Sequence, residues 1–157
     1  MRSEDLSTAR QVWQRVSPPK SEPVLSERET MLQLVRQLLC DRALFLNMAH
    51  KSPPAEQVLL YGLAQTYLQE AACLRGVLRL TTGNGVREPA DITPTPNLVQ
   101  CYRHGLLRLN AYTLRTADPL CAPAFRQLEQ QTRQSCVDLL KLMGMAAPTP
   151  QKRNKGR

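Results

Sequence analysis

Aromatic side chains are scarce in this chain of 157 residues: two Phe, four Tyr and a single Trp, or 4%. Glycine is nearly as sparse, with seven residues. No stretch sustains a period-two alternation with β-branched residues, so the composition favours helices over sheet. No apolar run approaches the ~18 residues of a membrane span. The opening MRSEDLSTARQ lacks the apolar core of a secretory signal, so a cytoplasmic location is expected. Histidine occurs twice, as His50 and His104, and no Ser/His/Asp or Cys/His arrangement can be argued from spacing. A phosphate-cradling loop is missing too: the GNG at 83–85 follows a helical segment rather than joining a strand to a helix.

The five cysteines, Cys40, Cys73, Cys101, Cys121 and Cys136, are odd in number and contain no CxxC pair. Without zinc-like spacing they read as small buried or half-buried residues of a reducing compartment. Net charge is +8, but the last seven residues, QKRNKGR, supply four of the cations, Lys152, Arg153, Lys155 and Arg157, with no acid among them. That tail is too short and polar to fold, and it is a candidate anion-binding segment. The remaining arginines are scattered, with no basic stripe interleaved with aromatics, so nucleic acid is not an expected partner of the body.

What the chain has in quantity is leucine at helical spacing. Residues 52–83, SPPAEQVLLYGLAQTYLQEAACLRGVLRLTTG, form the clearest helix, with Ser52 as N-cap, Pro53 at the first helical position and Gly83 as the stop. Leu60, Leu63, Tyr67, Glu70, Leu74 and Val77 share one face, and Tyr67 and Glu70 make its centre polar.

Upstream, Val12, Trp13 and Val16 mark a short helix-prone arm, with Trp13 as its anchor, before Pro18, Pro19 and Pro23 break the chain. Ser26 and Glu29 form a capping box. The helix they open reaches about His50 with a stripe of Met31, Leu34, Leu38, Asp41, Phe45 and Met48. The tight turn at 50–53 predicts an antiparallel hairpin.

After the Gly- and Pro-containing connection at 83–95, Thr95 and Pro96 are expected to start a third helix with Leu98, Tyr102, Gly105, Leu109 and Tyr112 in register. Gly105 is odd there, and close packing of a neighbouring side chain is its simplest reason. His104 reads as a boundary residue. Asp118 and Pro119 then cap a fourth helix running to about Gly144, with Phe125, Leu128, Thr132, Ser135, Leu139 and Leu142 on one face.

The expected fold is all-α: an antiparallel four-helix bundle of two helical hairpins joined by a longer crossover, with helices of roughly 22–30 residues. Residues 1–25 form the arm, 26–144 the bundle and 145–157 the tail.

This pattern resembles the ferritin-like, rubrerythrin-type family, in particular its small bacterial single-domain members. The resemblance spans roughly residues 10–144 and rests on VWQRVSP at 12–18, LLCDRALFLNMAHKSP at 38–53 and LAQTYLQEAACLRGVLRLTTG at 63–83. It implies a di-iron centre built from a Glu on each of two helices and Glu-x-x-His on each of the other two. Laid on that pattern, the ligand positions hold Leu38, Tyr67, Glu70, Gly105, Thr132 and Ser135. Of these only Glu70 is a strong metal ligand, and it stands where the family has His. The implied cofactor is therefore expected to be absent. Asp41, Tyr67, Glu70, Thr132 and Ser135 would remain as a polar layer that hydrogen-bonds internally. Two buried carboxylates without a metal repel, so one is expected to stay protonated or to pair with an Arg.

Three functions follow from these readings. The first is a metal-free binding or structural bundle, acting through homodimerisation or a protein partner. The second is a divergent metal-dependent peroxidase or oxidase using Asp41, Glu70 and His104. The third is an accessory protein for anionic surfaces or nucleic acid, working through the basic tail.

Overall fold

The computed structural model describes residues 27–83, 89 and 91–144. Among them it contains four α-helices and no strand: α1 (Glu27–Ala49), α2 (Pro54–Thr82), α3 (Leu98–Arg115) and α4 (Ala122–Leu142). The arm with Trp13, Ser26 of the capping box and the tail with Lys152, Arg153, Lys155 and Arg157 lie outside the described residues. No helix among the described residues is long and apolar enough to cross a membrane.

The stripes predicted for α1, α2 and α4 become the buried faces. Met31, Leu34, Leu38 and Phe45 of α1 join Leu60, Leu63, Leu74 and Val77 of α2 and Phe125, Leu128 and Leu139 of α4 in one core. Met48 and Leu142, at the far ends of their stripes, are half-buried. A buried Leu or Phe is stabilised by about 1.5–3 kcal/mol relative to its exposed state, so this shared face is the main term holding the helices together.

α1 packs on α2 and α3 on α4, and the pairs α2–α4 and α1–α3 join the two hairpins. Each neighbouring pair runs antiparallel. His104 meets Asp41 while Arg115 meets Glu27; Tyr112 meets Phe125 while Gly105 meets Cys136.

Several helix ends differ from the expectation. Pro53, not Ser52, holds the N-cap position of α2, and Pro54 is the first helical residue. The Ser52 hydroxyl instead donates to the Met48 carbonyl at 2.7 Å, and the Gln57 amide donates to the Ala49 carbonyl at 2.8 Å. Both bonds satisfy carbonyls that the end of α1 leaves without intrahelical partners. The end of α2 is as expected: Gly83 adopts a left-handed φ of 76° and its N–H donates to the Arg79 carbonyl.

α3 begins later than predicted and has 18 residues. Its cap is Asn97, whose side chain accepts from the Gln100 N–H at 2.9 Å, and Thr95 is drawn away to α1. Asp118 caps a turn, accepting from the Leu120 N–H, while α4 starts at Ala122 with Cys121 in the cap position.

The buried face of α3 also differs. It is Cys101, Gly105, Arg108 and Tyr112, one position off the predicted stripe at two of its members. Leu98, Tyr102 and Leu109 are only half-buried.

Candidate functional site: a buried ion-pair network

The centre of the core is charged. α1 contributes Asp41, α2 contributes Tyr67 and Glu70, α3 contributes Arg108 and Tyr112, and α4 contributes Thr132; none of the six has measurable solvent exposure. Burying an isolated ion costs several kcal/mol, so charges survive inside a fold only when paired and hydrogen-bonded. Here Arg108 is the hub. Its Nε donates to Glu70 Oε2 at 2.7 Å, and its Nη1 lies 3.9 Å from Asp41 Oδ2. Its guanidinium carbon stacks 4.7 Å from the centre of the Tyr67 ring, a desolvated cation–π contact. Tyr67 is in turn set edge-on against Phe45, with ring centres 4.9 Å apart.

Each carboxylate has further donors. Glu70 Oε2 accepts from the Tyr112 hydroxyl at 2.5 Å and, more weakly, from the Thr132 hydroxyl at 3.4 Å. Asp41 accepts from the Thr95 hydroxyl at 2.5 Å and faces His104 Nδ1 at 2.9 Å through one oxygen and 3.2 Å through the other. The Thr95 N–H also donates to the Cys40 carbonyl, and Arg36 grips Asp91 with paired bonds at 3.2 Å, so residues 91–97 are strapped along α1.

The ionisation of the surrounding groups follows from this burial. Desolvation pushes the Tyr67 phenol up, and the facing Arg108 opposes that only in part. Tyr112 is held well above its ordinary value by burial and then by the Glu70 charge. Burial alone would lower Arg108, but Glu70 and the two phenols more than offset it, so the guanidinium is firmly cationic. Four polar atoms of the network, Tyr67 Oη, Glu70 Oε1 and both terminal nitrogens of Arg108, have no hydrogen-bond partner within the protein.

Of the residues singled out from sequence, Asp41, Tyr67, Glu70 and Thr132 come together around Arg108. Leu38 is an apolar core residue and Ser135 is buried one turn beyond Thr132. Gly105 does face a close neighbour: a Cβ built on it would lie 2.9 Å from Cys136 Sγ. His104 does sit at the boundary, partly exposed, and there it is the partner of Asp41.

Sequence reasoning missed Arg108, Tyr112 as a polar partner, and Thr95. The signal for the first two was present, since Cys101, Gly105, Arg108 and Tyr112 recur at spacings of four, three and four. An apolar template passes over that row because it contains an arginine.

The donor set does not fit a di-iron centre. Leu38 and Gly105 offer no ligand atom, Thr132 and Ser135 offer neutral hydroxyls, and a guanidinium lies against the one carboxylate of the set. The chain matches no family model, no curated protein and no solved structure. Among the described residues, no group of three or more His, Cys, Asp and Glu side chains is placed to hold a metal ion.

Proposed function

We propose that this chain is a ferritin-like bundle in which an internal ion-pair network stands in the place of the metal centre, and that it serves as a non-catalytic binding or structural protein. The observation that carries the reading is the placement of Arg108 between Glu70 and Asp41. A metal pair in such a bundle supplies positive charge to a ring of buried carboxylates. In this chain a fixed guanidinium supplies it, through a 2.7 Å bond to Glu70 and a cation–π face on Tyr67. The kinship with the ferritin-like family is supported by the order of helix contacts. Two hairpins pack side by side through α2–α4 and α1–α3, and the remnant ligand positions of α2 and α4 face each other at Glu70 and Thr132.

The test is metal content. The chain would be expressed with iron or manganese in excess, purified without chelator and analysed for bound metal. The expected loading is far below one ion per chain. Loading near the two ions per chain of a di-iron bundle would overturn the reading in favour of an oxidoreductase built around Asp41, Glu70 and His104.

A further inference from the structure

The outer face of α3 is apolar where a solvated helix would carry charge. Four of the nine large apolar side chains exposed among the described residues lie on this helix, and none lies on α1. Val99, Leu106, Leu107 and Leu114 keep between 45% and 69% of their exposure. At about 100° per residue they fall, with the exposed Arg103 and Asn110, in an arc of about 100°. That arc lies opposite the buried row of Cys101, Gly105, Arg108 and Tyr112. Single exposed leucines are ordinary, but a continuous stripe turned away from the core marks a surface that another molecule covers.

The order of residues along the stripe says what covers it. Val99, Arg103, Leu106 and Asn110 recur at spacings of four, three and four, the seam of two packed helices. Residues equidistant from the midpoint between Leu106 and Leu107 are matched: Val99 with Leu114, and Arg103, a donor, with Asn110, which offers an acceptor. A two-fold interface needs this property, because one patch must complement itself. In an antiparallel pair of α3 helices the leucines 106 and 107 of both copies meet at the axis. Val99 of one copy then meets Leu114 of the other, and Arg103 meets Asn110. The charge selects the direction. A parallel pair would set Arg103 against its own copy within apolar surface, whereas the antiparallel pair gives each guanidinium an amide oxygen.

We propose that the outer face of α3 is the interface of a two-fold homodimer, in which the α3 helices of two copies pack antiparallel about Leu106 and Leu107. The occupant is a second copy of this chain, since the matched order of the stripe serves a copy of itself and no other helix needs it. One helix pair lies toward the small end of stable interfaces, so the dimer is expected to dissociate at roughly 1–100 µM. This goes beyond the metal-free reading and stands whether or not the bundle holds metal, so metal content and oligomeric state fail separately.

The experiment is analytical ultracentrifugation of the full chain, kept reduced so that no cysteine links two copies, from about 1 to 200 µM. A reversible monomer–dimer equilibrium is expected. Asn110→Glu places a carboxylate opposite Arg103 of the other copy and is expected to tighten the dimer roughly 3- to 10-fold; Asn110→Lys is expected to loosen it by a similar factor. Leu106→Glu is expected to weaken it more than about tenfold, with the circular dichroism of the helices unchanged. A monomer throughout overturns the proposal and leaves the face to a different protein. Growth beyond the dimer overturns it too, because a closed two-fold pair leaves no second face to extend. Should Leu106→Glu disturb the fold, the two Asn110 substitutions decide: unless they move the equilibrium in opposite directions, the interface is elsewhere and the proposal fails.

Discussion

Replacing Arg108 by Met keeps most of the side-chain volume and removes the charge that the two carboxylates share. In the parent chain Arg108, Asp41 and Glu70 are all inaccessible to solvent. The substitution leaves Glu70 with the Tyr112 and Thr132 hydroxyls and Asp41 with Thr95 and His104. Breaking a buried pair by removing one partner costs about 3–5 kcal/mol, because the other ion stays buried without compensation. The Met side chain still covers the Tyr67 ring, so packing loss adds little beyond the lost cation–π contact. In a domain of this size that loss corresponds to a Tm lower by roughly 10–20 °C.

The assay is urea unfolding followed by far-ultraviolet circular dichroism, comparing midpoints at an unchanged slope. The triple substitution Asp41→Asn, Glu70→Gln and Arg108→Met removes every formal charge of the trio, and it is expected to recover at least half of the loss. A single Arg108→Met variant within about 1 kcal/mol of the parent would refute the reasoning. So would a triple variant no more stable than the single one, since then the missing term is packing and not an uncompensated charge.

Three further outcomes are expected. A Cβ at Gly62 or Gly76 meets no atom within 4 Å, so Gly62→Ala and Gly76→Ala should each add about 0.5–1 kcal/mol of stability by thermal denaturation. At Gly105 the same change meets Cys136 Sγ at 2.9 Å and is expected to cost about 1–2 kcal/mol through overpacking, with Cys136→Ala relieving most of it. The pH dependence has its sign set by groups raised in the fold. Tyr67, Tyr112 and Cys101 are all pushed up, so their contribution is fully present below their unfolded values near 9 to 10 and is lost as pH rises through and beyond them. Tm should hold between pH 7 and 9 and fall steeply above about pH 10, with the phenolate absorbance of Tyr67 and Tyr112 appearing only as the helices melt. Complete ionisation of all four tyrosines in a still-helical protein would contradict this.

Much of the architecture was readable from periodicity alone. The apolar rows of α1, α2 and α4 predicted the centre of each buried face, because a helix that must bury one stripe shows it at spacings of three and four. The polar centre was visible as well, in Asp41, Tyr67, Glu70 and Thr132, since each interrupts an otherwise apolar row. What periodicity could not supply was the partner. Arg108 looks like a solvated surface residue beside Leu109 until α3 is rotated by one position, and that rotation is set by the carboxylates on the other hairpin. The start of the third helix was misread for a related reason. Thr95 followed by Pro96 is a sound local cap signal, but the Thr95 hydroxyl does better against a buried carboxylate than against its own helix. The expected pairing of a carboxylate with an Arg rested on electrostatics alone, and Arg108 and Glu70 make that pair.

The way the network is divided between the hairpins has a consequence for assembly. Both interior carboxylates belong to α1 and α2, whereas the guanidinium and the imidazole belong to α3. The fold is thus two half-molecules whose inner faces differ in sign. A first hairpin that met a copy of itself would bury four carboxylates with no cation between them, and a pair of second hairpins would enclose two guanidiniums. Only the unlike halves neutralise one another, so the centre of the bundle acts as a recognition key that selects the correct docking partner while the surrounding leucines, equally content with any apolar face, supply the adhesion.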